Sequence, residues 1–387
     1  MTHQNKGRIG VIIQNVETEG GAFSYESRLI EILNGQEFFF FEKVIFCPKS
    51  LFKSIKIQFP NIAVRTYKKS FFTLLFLGLR QSLPGYKLLK AMGLKHGKLE
   101  RSLKQNGIDL AYFLSPNPLV LDLVDTTFIT TIWDLGHRDI PEFLEISGDR
   151  HYEERETYYQ RTLPKSYRVI VDSEHTSKRI QSCYGVISDR VIIGGLLVDR
   201  PKGHQRSPDI KAPFFLYPAQ FWPHKRHILL LNAFKIVSEQ NKVVRLVLTG
   251  ADKGNLAYIK NYAVQLGISD RVDFLGFVSR AELNGLIQSA KCLVFPTQLG
   301  PTNLPPIEAA LNGTFSIISK FHNDINLDHP LIKKVLEQDP SDWATHMLQA
   351  LSNEVESAIP LILDHEHFKN RLVEEFKLFL SVREEWE

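Results

Sequence analysis

The chain has 387 residues, of which 43% are hydrophobic and 23% charged, and its formal net charge is +4. This composition is ordinary for a soluble globular protein, and the length favours two domains over one. The cysteines, Cys47, Cys183 and Cys292, are too far apart for a CxxC or metal-ligand motif, which indicates buried thiols in a reducing compartment.

Apolar, β-rich runs alternate with helical patterns in the first half of the chain. The N-terminus lacks the apolar core of a signal peptide, so none is expected. The buried-strand run RIGVIIQ is followed by a polar turn, NVETEGG, and by AFSYESRLIEIL, whose apolar residues recur at helical spacing. The runs KVIFC, IDLAYFL, TFITTIWD and YRVIVDS repeat the strand pattern as far as Ser173. Near-continuous apolar strands between helices predict a parallel sheet that is covered on both faces.

A strongly basic segment, residues 49–104, follows KVIFC. It contains thirteen Lys and Arg residues and a single acid, Glu100, so its net charge is +12 and that of the remainder is −8. Its apolar run, FFTLLFLGL, is too short to span a bilayer as a helix. Basic and apolar residues together are typical of an interfacial membrane element, and the alternative is a solvated basic face beside a core helix. We therefore expect a cytoplasmic protein, with the inner membrane surface as a candidate partner.

The alternation starts again after a polar, proline-containing stretch, residues 201–213, which is typical of a linker. The strand runs FFLYPA, RLVLTG, VDFLGF, CLVFPT and FSIIS are separated by the helical patterns HILLLNAFKIVSEQ, LAYIKNYAVQLG, RAELNGLIQSA and PPIEAALNG. The predicted fold class is therefore α/β, with two doubly wound, Rossmann-like domains facing across a cleft. The predicted domains are residues 1–200 and 214–365, and a last helix, 366–387, crosses back to the first. The site is expected in the cleft, because such sheets bind ligands at the carboxyl ends of their strands.

Four motifs of the second half resemble, in order and spacing, the nucleotide-sugar domain of GT-B glycosyltransferases of family 4, the retaining group (glycosyl transferases group 1). They are YPAQFWPHKRH, LVLTGADKGN, VDFLGFVSRAEL and GPTNLPPIEAALNG. The first half adds ETEGGAFSY, TIWDLGHRDIPEF and VIVDSEHTSKRI, which are typical of the same group. The resemblance implies retaining transfer from a UDP- or GDP-sugar to a hydroxyl of a glycan or lipid-linked acceptor, in cell-surface polysaccharide synthesis. It implies an acceptor on the side of the first domain, and no metal or other cofactor.

Glu308 follows Pro305 and Pro306, and the sequence predicts that it begins a short helix, because proline fits the first helical turn. Free N–H groups at a helix start attract anions. The resemblance implies that Glu308 accepts hydrogen bonds from the donor ribose and that amides near Asn303 and Leu304 meet the diphosphate. The alternative is a glutamate that only complements the helix dipole.

Lys225 follows a predicted strand, and its flexible ammonium suits a diphosphate; the alternative is a surface lysine. The family usually has an arginine about five residues earlier, where this chain has Gln220. Arg226 or a cation of the first domain would compensate. The family's pattern also has a glutamate near the reacting sugar, eight residues before the ribose ligand, where this chain has Gly300. Thr302, Asn303 and main-chain amides then replace this acid, or its role is dispensable.

The remaining candidates follow other strands. The resemblance implies that His137 contacts the hydroxyls of the transferred sugar, and the alternative is a structural histidine. Glycines at the first turn and after RLVLT would let the backbone approach the donor closely. The candidates for substrate binding are Gly20, Gly21, Gly250, Val278, Asp172 and Ser173. For the last two the alternative is the N-cap of a helix, and for Gly250 it is an ordinary strand-end turn.

Two other functions stay open at this point. A GT-B-type sugar-nucleotide epimerase can use the same pair of sheets, but it needs acid and base carboxylates near the donor. A catalytically inactive sugar-nucleotide-binding partner subunit is the second alternative, because of the departures at Gly300 and Gln220. No DxD, P-loop, GxSxG or HExxH motif and no nucleic-acid module is present, so no nucleic-acid partner is expected.

Overall fold

The computed structural model describes residues 6–14, 21–67, 78–79, 82–195, 197–198, 203, 209–210, 212–299, 303–320, 328–335, 338–352 and 365–385, and only the backbone of Gly21 and Phe23. Gly20, Gly300, Thr302 and most of the apolar run FFTLLFLGL lie outside the described residues. The chain forms two compact units. The first unit comprises Met1–Trp133, Glu154–Leu197 and His365–Glu387, and the second comprises Asp134–Glu153 and Val198–Asp364.

The first unit is built on a seven-stranded sheet in which every neighbouring pair of strands is parallel. The strand order is β3-β2-β1-β4-β5-β6-β7. The strands are β1 Gly7–Ile12, β2 Phe41–Pro48, β3 Ala63–Tyr67, β4 Leu110–Phe113, β5 Thr127–Ile132, β6 Arg168–Val171 and β7 Val191–Ile193. The apolar runs form the central strands, because these strands are covered on both faces. All four residues of β4, for example, are buried.

The second unit contains a six-stranded sheet, which is also parallel throughout. Its order is β10-β9-β8-β11-β12-β13. The strands are β8 Phe214–Pro218, β9 Arg245–Thr249, β10 Val272–Gly276, β11 Cys292–Phe295, β12 Ser316–Ser319 and β13 Ile332–Val335. In both sheets the chain builds outwards in one direction and then returns to build in the other, so each sheet has a topological switch point. This point lies between β1 and β4 in the first sheet and between β8 and β11 in the second.

Helices connect the strands, as parallel pairing requires. In chain order they are α1 Gly21–Leu33, α2 Phe52–Gln58, α3 Leu83–Ala91, α4 Lys98–Gln105, α5 Gly136–Asp139, α6 Leu144–Ser147, α7 His151–Thr162, α8 Glu174–Tyr184, α9 His227–Gln240, α10 Leu256–Gln265, α11 Arg280–Ser289, α12 Leu304–Leu311, α13 Pro340–Ser352 and α14 Glu366–Glu384. None of the described helices combines the length and the apolarity needed to cross a membrane.

The last helix, α14, packs on the sheet of the first unit. Its Phe376 ring contacts the rings of Phe41 and Tyr112 at centroid distances of 5.6 and 6.4 Å. Its Glu375 is buried and accepts a hydrogen bond from Arg168 Nε at 2.6 Å. This helix therefore covers the core of the first unit, although some 170 residues of the second unit lie between it and the rest of the first unit along the chain.

The prediction of two doubly wound α/β domains is confirmed, and every strand run named above lies in or overlaps a strand of the structure. The segment Asp134–Glu153 departs from the expected organisation, because it makes its contacts within the second unit, although its sequence position falls in the predicted domain 1–200. The exact domain bounds stay a prediction.

Candidate functional site

The switch point of the second sheet is the centre of the candidate site. The segment 219–226 follows β8, and the segment that leads to α12 follows β11, its neighbour in the sheet. The two segments touch: Thr297 Oγ1 and the Gln298 N–H both donate to the carbonyl oxygen of His224, at 3.4 Å. Parallel pairing therefore brings Lys225 and the start of α12, 79 residues apart in sequence, to the carboxyl edge of one sheet, where such folds bind ligands.

Lys225 ends a short 3₁₀ turn, Pro223–Lys225, and its side chain is partly buried. Its ammonium lies 5.8 Å from the ring centroid of Phe295, the last residue of β11. Burial lowers the pKa of Lys225 to about 8, and the negative charge of Asp134 opposes this shift. Among the described residues Lys225 forms no ion pair, so its charge is available to an anion at neutral pH.

The residues on either side of Lys225 have partners of their own. Gln220 Oε1 accepts a hydrogen bond from Trp222 Nε1 at 2.9 Å, so this side chain braces the loop. Arg226 has a left-handed backbone conformation, with φ 56°, and its Nη2 donates to Gln338 Oε1 at 3.2 Å. Burial lowers the pKa of Arg226 as well. Arg226 thus lies directly after Lys225 with a protein partner on its guanidinium, and its role toward a donor stays a prediction.

Gly250, at the end of β9, is needed by the protein backbone itself. Its φ is 148°, and a Cβ atom built there would lie 2.2 Å from the carbonyl oxygen of Ala219. The Ala219 N–H in turn donates to the carbonyl oxygen of Thr249 at 2.9 Å. The absence of a side chain at Gly250 therefore lets the backbone of the segment 219–226 pass close to it. These contacts are those of a strand-end turn, which is the alternative that the sequence left open.

Glu308 lies one turn deeper in its helix than the sequence predicts. The helix α12 begins at Leu304, so Glu308 is its fifth residue and does not begin it. Proline fits anywhere in the first helical turn, because the N–H groups of that turn have no intrahelical partner. Pro305 and Pro306 therefore occupy this turn and shift Glu308 into the second. Its side chain is only 4% exposed, and its Oε1 lies 2.6 Å from Arg280 Nη1.

The same two prolines limit which amides can meet an anion. A helix start has four N–H groups without an intrahelical acceptor, and two of these positions in α12 are proline. The amides of the N-cap residue Asn303 and of Leu304 remain. Asn303 is itself held in place, because its Nδ2 donates to the carbonyl oxygen of Leu299 at 3.1 Å. Asn303 and Leu304 therefore provide the two N–H groups of this helix start that have no intrahelical acceptor, and their contact with a diphosphate stays a prediction.

His137 lies in the segment Asp134–Glu153, on the short helix α5, and its side chain is fully buried. Its ring packs edge-on against Tyr152 at a centroid distance of 5.5 Å. The residue before it, Gly136, is in close contact with the segment after β11, because a Cβ atom built there would lie 2.5 Å from Leu299 Cδ1. His137 is therefore fixed relative to the segment after β11.

A buried pair joins this segment to the residue before Lys225. Glu145 Oε1 accepts hydrogen bonds from the His224 backbone N–H at 2.9 Å and from its Nδ1 at 3.0 Å. Burial and the neighbouring Lys225 charge lower the pKa of His224 to about 4, against the opposing effect of Glu145. At neutral pH the imidazole is uncharged, so its Nδ1–H is the donor. The pair holds the 3₁₀ turn that carries Lys225.

The other candidates lie at strand ends. In the first unit Asp172 and Ser173 are buried after β6, and Ser173 Oγ accepts a hydrogen bond from the Thr176 N–H at 3.2 Å, so Ser173 is the N-cap of α8. Gly21 begins α1. In the second unit Val278 is partly buried between β10 and α11.

Sequence reasoning missed three residues of this site: Glu145, His224 and Arg280. No local pattern indicates Glu145, because its role depends on a contact with a residue 79 positions later. The sequence contains a weak indication that Arg280 is unusual. This arginine is the first residue of a helix whose capping box, Ser279 and Glu282, is readable in the sequence, and a cation at a helix N-terminus opposes the helix dipole.

Comparisons with known proteins find sequence similarity to glycosyltransferases, mainly in the second unit. Residues 200–357 match the sequence model described as Glycosyl transferases group 1. The uncharacterized glycosyltransferase YqgM of Bacillus subtilis is 28% identical over 107 residues, which cover 28% of this chain and 30% of YqgM. The O-antigen chain mannosyltransferase RfbU of Salmonella typhimurium is 26% identical over 182 residues, 47% of this chain and 49% of RfbU. The matched regions thus span less than half of either curated relative.

The whole chain resembles solved structures in fold. The crystal structure of HepE from Anabaena, in complex with UDP and glucose, has a TM-score of 0.66 at 15% identity and covers 98% of this chain and 99% of its own. At this identity the likeness concerns the fold, and it extends over both units.

Proposed function

We propose that this chain, whose residues 200–357 match the sequence model of the glycosyl transferases group 1, transfers a sugar from a nucleotide diphosphate sugar to a hydroxyl of a glycan or lipid-linked acceptor. One observation carries the proposal: Lys225, the start of α12 and Glu308 surround the switch point of the second sheet. Each suits one part of the donor. An ammonium and free amides suit a diphosphate, and a carboxylate suits the two hydroxyls of a ribose.

In this proposal the diphosphate leaves against the charge of Lys225 and the amides of Asn303 and Leu304, with Arg226 as a second cation. Fixed positive groups at the position where charge develops lower the barrier of such a step. They supply this charge without a metal ion, so we propose metal-independent transfer. HepE, with a similar fold, binds UDP and glucose in its crystal structure, which supports a UDP-sugar here, with a GDP-sugar as the other candidate.

We propose that transfer retains the configuration of the anomeric carbon. The acceptor oxygen bonds to that carbon on the face from which the diphosphate leaves, the bond to the diphosphate oxygen breaks, and the hydroxyl proton passes to a phosphate oxygen. A covalent glycosyl intermediate needs a carboxylate nucleophile beside the sugar. The sequence has Gly300 where a glutamate is common in the family, which supports the front-face route. His137 orients the sugar in this scheme, while Gly20, Gly21, Asp172 and Ser173 belong to the sugar and acceptor side.

We also propose that the acceptor belongs to a cell-surface polysaccharide and that the protein meets it at an anionic membrane surface. RfbU, which is similar to this chain over 49% of its own length, is an O-antigen chain mannosyltransferase by name. Helix α3 of the basic segment 49–104 supports the surface contact. Its Leu83 and Leu88 and the following Met92 are 67%, 57% and 61% exposed, beside Lys87 and Lys90. Exposed apolar and basic residues on one helix suit an interfacial element.

Nucleotide binding provides the first test. In a thermal-shift panel of UDP, GDP and their sugars, a ligand at 100 times its Kd stabilises the protein by about 2.7 kcal/mol, which raises Tm by several degrees. Glu308→Gln is expected to reduce the shift by about half or more, because it weakens the hold on the ribose. The control Glu239→Gln removes a carboxylate that is 59% exposed in the same unit and is expected to keep it. Absence of a shift with every nucleotide would refute the donor site.

Product analysis provides the second test. The purified chain is incubated with the donor that the panel selects, with and without a polyprenyl-linked glycan acceptor, and the anomeric configuration of the product is read by NMR. A product that retains the donor configuration and forms only with acceptor supports the transferase. Turnover of the donor sugar without acceptor would instead support an epimerase, and donor binding without any turnover would support an inactive partner subunit.

A further inference from the structure

Glu308 is a nearly buried carboxylate whose charge is balanced by one arginine. Its side chain is 4% exposed, whereas that of Arg280 is 46% exposed, and Arg280 Nη1 lies 2.6 Å from Glu308 Oε1. Within the described part of the chain this is the ion pair that Glu308 forms. A buried carboxylate without a partner is strongly disfavoured, and removing one member of a buried pair leaves an uncompensated charge. The position of the Glu308 carboxylate therefore depends on Arg280.

Arg280 can hold the carboxylate and still leave hydrogen-bond acceptor positions on it for a ligand. An ionised carboxylate has two oxygens with about four acceptor positions in total, and Arg280 contacts Oε1. Oε2 and the remaining acceptor positions are compatible with hydroxyl donors. A ribose presents two neighbouring hydroxyls, so binding of the sugar does not require the ion pair to break.

The backbone of Arg280 is itself fixed. Arg280 is the first residue of α11, and the N-cap Ser279 and Glu282 form a reciprocal capping box, with the Ser279 N–H donating to Glu282 Oε2 at 2.8 Å. The Arg280 side chain therefore extends from a backbone position that the capping box fixes, two residues after Val278. A cation at this end opposes the helix dipole, and the contact with Glu308 offsets this local cost.

We propose that Arg280 is a positioning residue that aims the Glu308 carboxylate at the ribose hydroxyls and thereby gives the site its preference for ribonucleotides over deoxyribonucleotides. This inference rests on the proposed donor site, and it extends that site to a residue that makes no contact with the reacting atoms. The arginine acts through Glu308, so its removal should affect the recognition of hydroxyls and not the attraction of the diphosphate.

The test compares Kd values of UDP and GDP with those of their 2′-deoxy and 3′-deoxy analogues by isothermal titration calorimetry. Hydrogen bonds to a charged acceptor contribute enough for the wild-type protein to prefer the ribonucleotide by about tenfold to 100-fold. In Arg280→Gln this preference is expected to fall to less than about threefold, and Glu308→Gln should do the same. Arg280→Lys keeps a cation and should keep part of the preference. Lys291→Gln removes an exposed positive charge from the same unit and should keep all of it.

Three results would overturn the inference in different ways. If Arg280→Gln keeps the wild-type preference while Glu308→Gln loses it, Arg280 has no positioning role although the donor site stands. If Arg280→Gln weakens ribonucleotides and deoxyribonucleotides equally, Arg280 attracts the diphosphate and does not position Glu308. If the wild-type protein binds none of the nucleotides, the proposed function itself fails. Circular dichroism and Tm separate these cases from misfolding, and Arg280→Lys provides the comparison if Arg280→Gln does not fold.

Discussion

At the scale of single residues, the ammonium of Lys225 determines how donor binding depends on pH. Its pKa is about 8 in the free protein, and a diphosphate binds the protonated form. Above pH 8 binding must therefore take up a proton, so affinity falls as pH rises. At pH 9.5 we expect UDP to bind up to about 30-fold more weakly than at pH 7. Calorimetry between pH 7 and 9.5, where the phosphates are fully ionised, measures this decline.

Replacement of the titrating group tests the assignment to Lys225. Arginine keeps its charge throughout this range, so Lys225→Arg should bind UDP with nearly constant affinity between pH 7 and 9.5. Lys225→Met should lose most of the affinity at every pH. A decline with pH that persists in Lys225→Arg would assign the titration to another group.

Gly250 allows a prediction about backbone strain, because the chain offers a matched control. Alanine at position 250 would adopt a disfavoured φ of 148° and contact the Ala219 carbonyl oxygen at 2.2 Å. Strain of this kind costs on the order of 1–3 kcal/mol, and it should also displace the segment 219–226 and weaken UDP binding. Gly267 has a φ of 67° with no atom within 4 Å of its Cβ position.

Urea unfolding and calorimetry on the two alanine variants test this difference. Gly267→Ala should lose only about 1 kcal/mol, from its left-handed backbone, and should bind UDP as the wild-type protein does. Equal losses of stability and affinity in both variants would show that the close approach of Ala219 has no effect.

At the scale of elements, the sequence predicts the central strands and the edge strand β10, and it misses the other three edge strands of the two sheets. The strands β1, β4, β8 and β11 are continuous apolar runs because both of their faces are covered. The strands that it misses are β3, β7 and β13, each of which pairs with one neighbour among the described strands. Their sequences, AVRTY, VII and IKKV, are short or contain charged residues that are exposed at a sheet edge. Such runs do not differ from loops in hydrophobic pattern.

The site divides in the same way between what is local and what depends on tertiary contacts. The motifs identify Lys225, Gly250 and Glu308, because each of these residues lies in a short motif close to the end of a predicted strand. They do not indicate that Arg280 compensates Glu308 or that the segment Asp134–Glu153 packs in the second unit. Both facts depend on contacts between distant residues, which a single sequence does not encode in any local pattern.

The contact of Glu145 with His224 provides a prediction for the segment Asp134–Glu153. Glu145→Ala leaves the His224 N–H and Nδ1–H buried without their acceptor, which costs about 1–3 kcal/mol. We expect this loss in urea unfolding, together with faster hydrogen exchange in residues 134–153. Glu145→Gln keeps an acceptor oxygen and should restore most of the stability. Glu142→Ala removes an exposed carboxylate from the same segment and should behave as the wild type. Unchanged exchange in Glu145→Ala would contradict the role of the pair.

At the scale of the whole molecule, charge is separated along the chain. The basic segment 49–104 has a net charge of +12, against −8 for the remainder. Part of this charge is compensated inside the first unit, where Lys95 and Lys104 both contact Asp125. Their pairing lowers the pKa of the Asp125 carboxyl well below its usual range. The lysines of α3 are therefore better candidates for an external anionic surface than those beside Asp125.

Flotation with liposomes tests whether α3 carries this surface contact. At low salt we expect the protein to float with vesicles that contain phosphatidylglycerol and to stay in solution with vesicles of phosphatidylcholine alone. Each lysine near an anionic surface contributes about 1 kcal/mol, so Lys87→Gln with Lys90→Gln should weaken binding about 30-fold. Leu88→Gln with Met92→Gln removes exposed apolar side chains. This double variant should weaken the binding to vesicles that remains at high salt, where charge is screened. The control, Lys242→Gln with Lys291→Gln, removes the same charge from the second unit. If this control loses as much binding as the α3 variant, net charge and not α3 governs the contact, and absence of flotation at low salt would refute the membrane proposal outright.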